Sequence, residues 1–164
     1  MTVWQPAYVG VGSNLREPRG QVEQALARLA ELPLTRLVSR SSCHATKPVG
    51  PVAQPDFVNA VAGLLTQLAA GDLLRELHAL ERALGREPAP ERWGPRVIDL
   101  DLLVYGRERR DDPGLTLPHP GIAERAFVLV PLAEIAPELE IPGLGRVAAL
   151  LAHVDTAGVQ RLDR

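Results

Sequence analysis

The residue pattern predicts an α+β fold: a ferredoxin-like antiparallel sheet with helices packed on it, a three-layer αβα stack. Three observations carry this expectation. Four apolar, strand-like stretches alternate with two amphipathic ones in the order β-α-β-β-α-β, and further helical segments follow. The 164 residues are 46% apolar and 23% charged, which suits one domain over 1–164 with a sizeable core. No repeat or linker-like stretch divides the chain.

Taken in order, residues 7–11 (AYVGV) read as a short buried strand, and Gly12, Ser13 and Asn14 as a turn. A helix over 18–32 presents Val22, Leu26, Leu29 and Ala30 as its apolar stripe, with Pro18 suited to its first turn. Residues 35–45 have strand character. Residues 46–56 hold three prolines and form a loop of little freedom. Residues 57–66 read as a long strand. The helix predicted over 69–84 buries Leu73, Leu74, Leu77, Leu80 and Leu84, and Gly85 stops it. Residues 85–96 are a loop rich in Pro and Arg, residues 97–105 a strand, and residues 106–121 a turn and loop. Helices over 123–135 and 147–152 close the pattern.

Composition excludes several classes. The formal charge is −2, so there is no global basic field for nucleic acid or an anionic membrane. Cys43 is the single cysteine, so neither an intramolecular disulfide nor a cysteine zinc site can form. No run of 18 apolar residues suggests a membrane span. The first residues lack the basic start of a signal peptide, and a cytoplasmic location is expected. One of the 18 basic residues is a lysine, Lys47, so any phosphate clamp is built from arginine. There is no P-loop, no complete G-x-G-x-x-G, no H-E-x-x-H and no G-x-S-x-G.

The informative stretch is RWGPRVIDLDLL, residues 92–103. Strand side chains alternate faces, so Asp99 and Asp101 point the same way, with Cα atoms about 6.6 Å apart, while Ile98, Leu100 and Leu102 point to the core. Two carboxylates on one face repel unless a cation lies between them, and Mg²⁺, held by one or two carboxylates plus substrate phosphates, fits. A solvated strand face is the plain alternative. Arg86, Arg92 and Arg96 precede the pair, and arginine forks match phosphate oxygens.

Beyond this stretch, YVGVGSNL (8–15), TKPVGPVAQPDFVNAV (46–61), ERWGPRVIDLDLL (91–103), LTLPHP (115–120) and RAFVLVPLAEIAPEL (125–139) resemble, in order and over nearly the whole chain, the 6-hydroxymethyl-7,8-dihydropterin pyrophosphokinases of folate biosynthesis. The resemblance implies a monomer that moves the β,γ-pyrophosphoryl group of ATP to the pterin hydroxymethyl oxygen and releases AMP. It assigns Asp99 and Asp101 to two Mg²⁺ ions. Arg86 and Arg96 are then catalytic phosphate contacts, and Trp93 packs over the site. Glu81, Leu102, Thr116, His119 and Arg125 fall on the ATP side. Phe57 and Phe127 sandwich the pterin, while Thr46, Asn59 and the backbone near Pro48 and Val49 read its edge. Phe57 and Asn59 share one strand face, so a ring and an amide can reach one ligand. Loops 46–56 and 85–96 are expected to act as lids. Departures from the family pattern are Pro88, Pro120, His78 and His44. The rival readings are another Mg²⁺-dependent nucleotidyl or phosphoryl transferase, or a non-catalytic pterin-binding module.

Overall fold

A computed structural model describes residues 3–48, 51, 53–85 and 97–162. The strands are β1 (Gln5–Ser13), β2 (Thr35–Arg40), β3 (His44–Thr46), β4 (Phe57–Thr66), β5 (Asp99–Tyr105), β6 (Arg110–Asp112), β7 (Leu115–Leu117), β8 (Glu140–Ile141), β9 (Gly145–Arg146) and β10 (Val159–Arg161). The helices are α1 (Pro18–Leu29), α2 (Ala70–Ala83), α3 (Ala126–Ile135) and α4 (Val147–Leu151), and a 3-10 turn, Ile122–Glu124, precedes α3. In the main sheet β2, β4, β1 and β5 lie side by side, every neighbouring pair antiparallel; β3 also pairs with β4, and β10 with β3. This is the split β-α-β order the sequence predicts.

Period-2 alternation divides the sheet into two faces. On one face Ala7, Val9 and Val11 of β1, Ala60, Ala62 and Leu64 of β4, and Leu100 and Leu102 of β5 meet Val22, Leu26 and Leu29 of α1 and Leu73, Leu77 and Leu80 of α2. Each large side chain there contributes about 1.5–3 kcal/mol by leaving water. On the other face Val61 and Leu103 pack with Ile122, Val128, Leu129, Leu132 and Val147. The helices thus form two outer layers, but the second layer leaves part of its sheet face open, and the site lies there.

Four local expectations are corrected. The stretch 35–45 is two strands, because Ser41 diverts the ladder: its hydroxyl donates to the Ser42 carbonyl (2.8 Å) and accepts from the Val61 N–H (2.9 Å). The 106–121 loop contains the β6–β7 hairpin. The third helix begins at Ala126, since Gly121 (φ 81°) first turns the chain into the 3-10 segment. The first helix ends at Leu29. The minor pair β8–β9 and the terminal strand β10 carry too few residues for a periodic signal.

Candidate active site

The centre of the site is a row of backbone without side chains. In register, Gly12 lies between Asn59 on β4 and Asp99 on β5, and Gly10 between Val61 and Asp101. With neighbouring strands about 4.8 Å apart, the two glycines form a bare floor that separates an amide from a carboxylate pair by about 10 Å. Glycine inside a strand marks such a close approach. A Cβ on Gly12 would meet Asn59 Oδ1 at 2.7 Å, whereas one on Gly10 would meet only Leu103 methyls at 3.5 Å.

Around this floor lies a cavity of ≈ 470 Å³, within the range of small-molecule sites. Its sheet wall carries Phe57, Asn59, Asp99 and Asp101, and its roof is Arg125 and Phe127 at the start of α3. Thr46 and Lys47 close one side. Asn59 is buried and donates through Nδ2 to Thr46 Oγ1 (2.8 Å), which fixes its amide plane and turns Oδ1 towards Gly12. The Arg125 guanidinium sits 5.8 Å from the centre of the Phe127 ring, within cation–π range.

A second cavity of ≈ 280 Å³ opens at the edge of β5, between α2 and β7. Leu74, His78, Leu100, Leu102, Leu115, Thr116 and His119 line it. Asp101 lines both cavities and is the bridge between them. His119 Nε2 lies 3.9 Å from Asp101 Oδ1, and the His119 backbone N–H donates to the Leu103 carbonyl (2.9 Å), so β5 positions both residues. Burial first, and then the Arg125 guanidinium, lower the His119 pKa from its usual value, which leaves the ring neutral at pH 7. A neutral imidazole carries one donor and one acceptor.

The loop entering β4 is held from β1: Asn14, buried, donates to Gln54 Oε1 (2.8 Å) and to the Pro55 carbonyl (3.0 Å). The GSN turn therefore also sets the approach to Phe57.

Of the site residues read from the sequence, Thr46, Phe57, Asn59, Asp99, Asp101, Arg125 and Phe127 meet in the larger cavity, and Leu102, Thr116 and His119 in the smaller. Glu81 lines neither; buried on α2, it accepts the Leu100 N–H (2.8 Å) and so anchors β5 next to Asp99 and Asp101. Pro48 lines neither cavity. Val49, Arg86, Trp93 and Arg96 lie outside the described residues. The sequence reading missed Gly10 and Gly12 as floor, Lys47 as lining, and Asp155, Gly158 and Val159, which reach the larger cavity from the C-terminal segment. The G-x-G spacing was a signal for the floor. Nothing in the sequence pointed to the C-terminal segment.

The model of the 7,8-dihydro-6-hydroxymethylpterin-pyrophosphokinase family matches residues 8–137. The chain belongs to that family. A 2-amino-4-hydroxy-6-hydroxymethyldihydropteridine pyrophosphokinase of Pseudomonas aeruginosa is 48% identical over 158 residues, 96% of this chain and 97% of its own length. A family member of the same name from Methylorubrum extorquens is 44% identical over 157 residues, covering 96% and 98%. The fold is shared with the crystal structure of wild-type Plasmodium falciparum HPPK-DHPS with pteroate, at a TM-score of 0.73 and 13% identity over 93% of this chain. This chain spans 42% of that one.

Proposed function

We propose that this member of the family transfers pyrophosphate from ATP to the hydroxymethyl group of 6-hydroxymethyl-7,8-dihydropterin, in folate biosynthesis, and releases AMP. The observation that carries this reading is Asp101, a carboxylate shared by two cavities of different character. The larger has aromatic walls and a fixed amide, which suits a flat heterocycle with a mixed donor and acceptor edge. The smaller opens at a strand edge and suits the nucleotide.

Asp99 and Asp101 share a face and offer hard oxygens, while among the described residues no group of three or more His, Cys, Asp or Glu side chains is disposed to hold a metal. That donor set fits Mg²⁺, which takes one or two carboxylates and completes its shell with phosphates and water. In this reading Asp99 and Asp101 would hold two such ions, which would supply positive charge against the phosphate oxygens.

The chain's own side chains then do the positioning. Phe57 and Phe127 hold the pterin plane, while Asn59 and Thr46 read its edge and aim the hydroxymethyl oxygen along the glycine floor towards Asp101. That oxygen attacks the β-phosphorus; a new O–P bond forms, the bond from the β-phosphorus to the α,β-bridging oxygen breaks, the bridging oxygen leaves on AMP, and the hydroxyl proton passes to water. His119 donates one hydrogen bond to a phosphate oxygen, and Arg125 supplies positive charge. Arg86 and Arg96 would clamp the phosphates and Trp93 would cover them, on the family resemblance. On the family resemblance the acting unit is a single chain, and the reading of residues 1–164 as one domain is supported by two cores that share one sheet. No helix among the described residues is long and apolar enough to cross a membrane.

The test is an AMP-release assay with ATP and hydroxymethyldihydropterin, with and without Mg²⁺. AMP forms in step with pterin pyrophosphate; ADP or free phosphate would point to a different phosphoryl transferase, and binding without turnover to a binding module. Asp99→Ala and Asp101→Ala each remove most turnover in a chain that still melts cooperatively. Near-normal kcat in either variant overturns the carboxylate assignment.

A further inference from the structure

The helix that carries Phe127 is unusual in its anchoring. Phe127 lies in the first turn of α3, and Glu134 lies seven residues later in the last. Seven residues are close to two helical turns, so both side chains sit on one stripe of the helix, about 10 Å apart along its axis. Between them Pro131 stands inside the helix. It has no N–H to give the carbonyl of Phe127, four residues back, so the ladder is weakest beneath the ring itself.

Glu134 compensates from the far end. Its two carboxylate oxygens accept from the Ser42 N–H and from the Ser42 hydroxyl, both at 2.6 Å. Arg161 of β10 approaches Glu134 Oε1 to 3.7 Å. Ser42 is the corner between β2 and β3, and β3 continues to Thr46, the partner of Asn59. β10 pairs with the same β3, Val159 opposite Thr46. One carboxylate therefore ties the helix of Phe127 to the strand that orients the pterin-reading amide.

We propose that Glu134 is a positioning residue for the pterin: it holds α3 at a set height over β4, and so sets the gap between the Phe127 and Phe57 rings. Ser42 is its principal partner and Arg161 a minor, exposed one. Glu134 does not line either cavity, so it acts through α3 and β3 rather than on the ligand. The inference rests on the pterin reading of the larger cavity.

The test compares Glu134→Ala, Glu134→Gln and Ser42→Ala in the full-length chain. The readouts are KM for hydroxymethyldihydropterin, KM for ATP, kcat, the Kd for the pterin measured calorimetrically, and Tm. Glu134→Ala raises the pterin KM and Kd about tenfold and leaves the ATP KM within twofold. Glu134→Gln keeps an acceptor for the Ser42 N–H, and the hydroxyl can turn to accept from the new amide, so it stays within about threefold of the parent. Ser42→Ala, which loses only the hydroxyl bond, falls between them. Wild-type turnover of the pterin secures the underlying reading; its absence sinks that reading first. With wild-type turnover in hand, the positioning role is overturned by an unchanged pterin Kd in Glu134→Ala. It is equally overturned by pterin and ATP constants rising together, or by Gln behaving like Ala.

Discussion

Replacing Gly12 by alanine separates the site from the scaffold. The added Cβ meets Asn59 Oδ1 at 2.7 Å, while the next nearest atoms, Asn59 Cγ and the Val58 carbonyl oxygen, are at 3.8 and 3.9 Å. One atom must therefore move by several tenths of an ångström, and it is the end of a side chain, not backbone. Asn59 cannot turn freely, because it is buried and its Nδ2 is held by Thr46 at 2.8 Å. Folding then loses about one hydrogen bond, about 1 kcal/mol, plus modest strain, which lowers Tm by about 2–8 °C for a domain of this size. Ligand binding loses more. An amide pushed off its plane leaves the pterin edge unpaired, at about 1–3 kcal/mol, so the pterin KM rises about 5- to 150-fold. In the proposed reading ATP lies on the Asp101 side of the floor, in the smaller cavity, so its KM stays within twofold. Gly10→Ala is the comparison on the same strand and face: its Cβ meets only Leu103 side-chain atoms at ordinary contact distance, so it leaves Asn59 in place and reports the effect of a methyl on the floor by itself. AMP release at saturating ATP and varied pterin, with thermal melts of both variants, reads the split. A Gly12→Ala protein whose pterin KM matches the parent, or whose two KM values rise together, refutes the role given to Asn59.

Three further outcomes follow from the same geometry. Phe127→Ala removes one wall of the larger cavity and should weaken pterin binding at least tenfold with little change for ATP; calorimetry with each ligand alone checks it. Glu81→Ala leaves the Leu100 N–H buried without its acceptor, costs about 1–3 kcal/mol in denaturant melts, and lowers kcat by loosening β5, whereas Glu81→Gln keeps an acceptor and most of both. Burial is the largest cause of the lowered pKa at both His119 and His44. The unfolded chain then binds more protons than the folded one, so stability holds above about pH 6.5 and falls as the pH drops through that value. Exchanging both histidines for asparagine should flatten the loss between pH 7 and 5. A second decline belongs to Glu23, whose pKa Arg40 lowers; it appears only below about pH 4.5 and survives that exchange.

How far the site could be read in advance depended on the range of the forces involved. Asp99 and Asp101 were placed on one face by alternation along a single strand, and the structure has them lining one cavity. The same rule put Phe57 with Asn59. Gly12, taken alone, is a turn residue; its meaning arises because β4 and β5 bring Asn59 and Asp99 to either side of it. Glu81 is placed on the ATP side by the resemblance alone; that its carboxylate accepts the Leu100 N–H is a contact between α2 and β5 that no local pattern signals. The break at Ser41 was hidden because a hydroxyl's competition for backbone partners does not disturb the apolar pattern.

Of the expected stripes Ala30, Leu74 and Leu84 are not fully buried, but the chain alone determined the β-α-β-β-α-β frame and the buried positions Val22, Leu26 and Leu29 of α1 and Leu73, Leu77 and Leu80 of α2. Those depend on periodicity and side-chain type, which are local. Only the tertiary structure decided that the β1 glycines are a floor, that Asp101 belongs to two cavities, and that β10 and Glu134 brace the walls. Strand register, and the meeting of residues about a hundred positions apart, are set by how whole faces exclude water together, and no window of neighbouring residues contains that information.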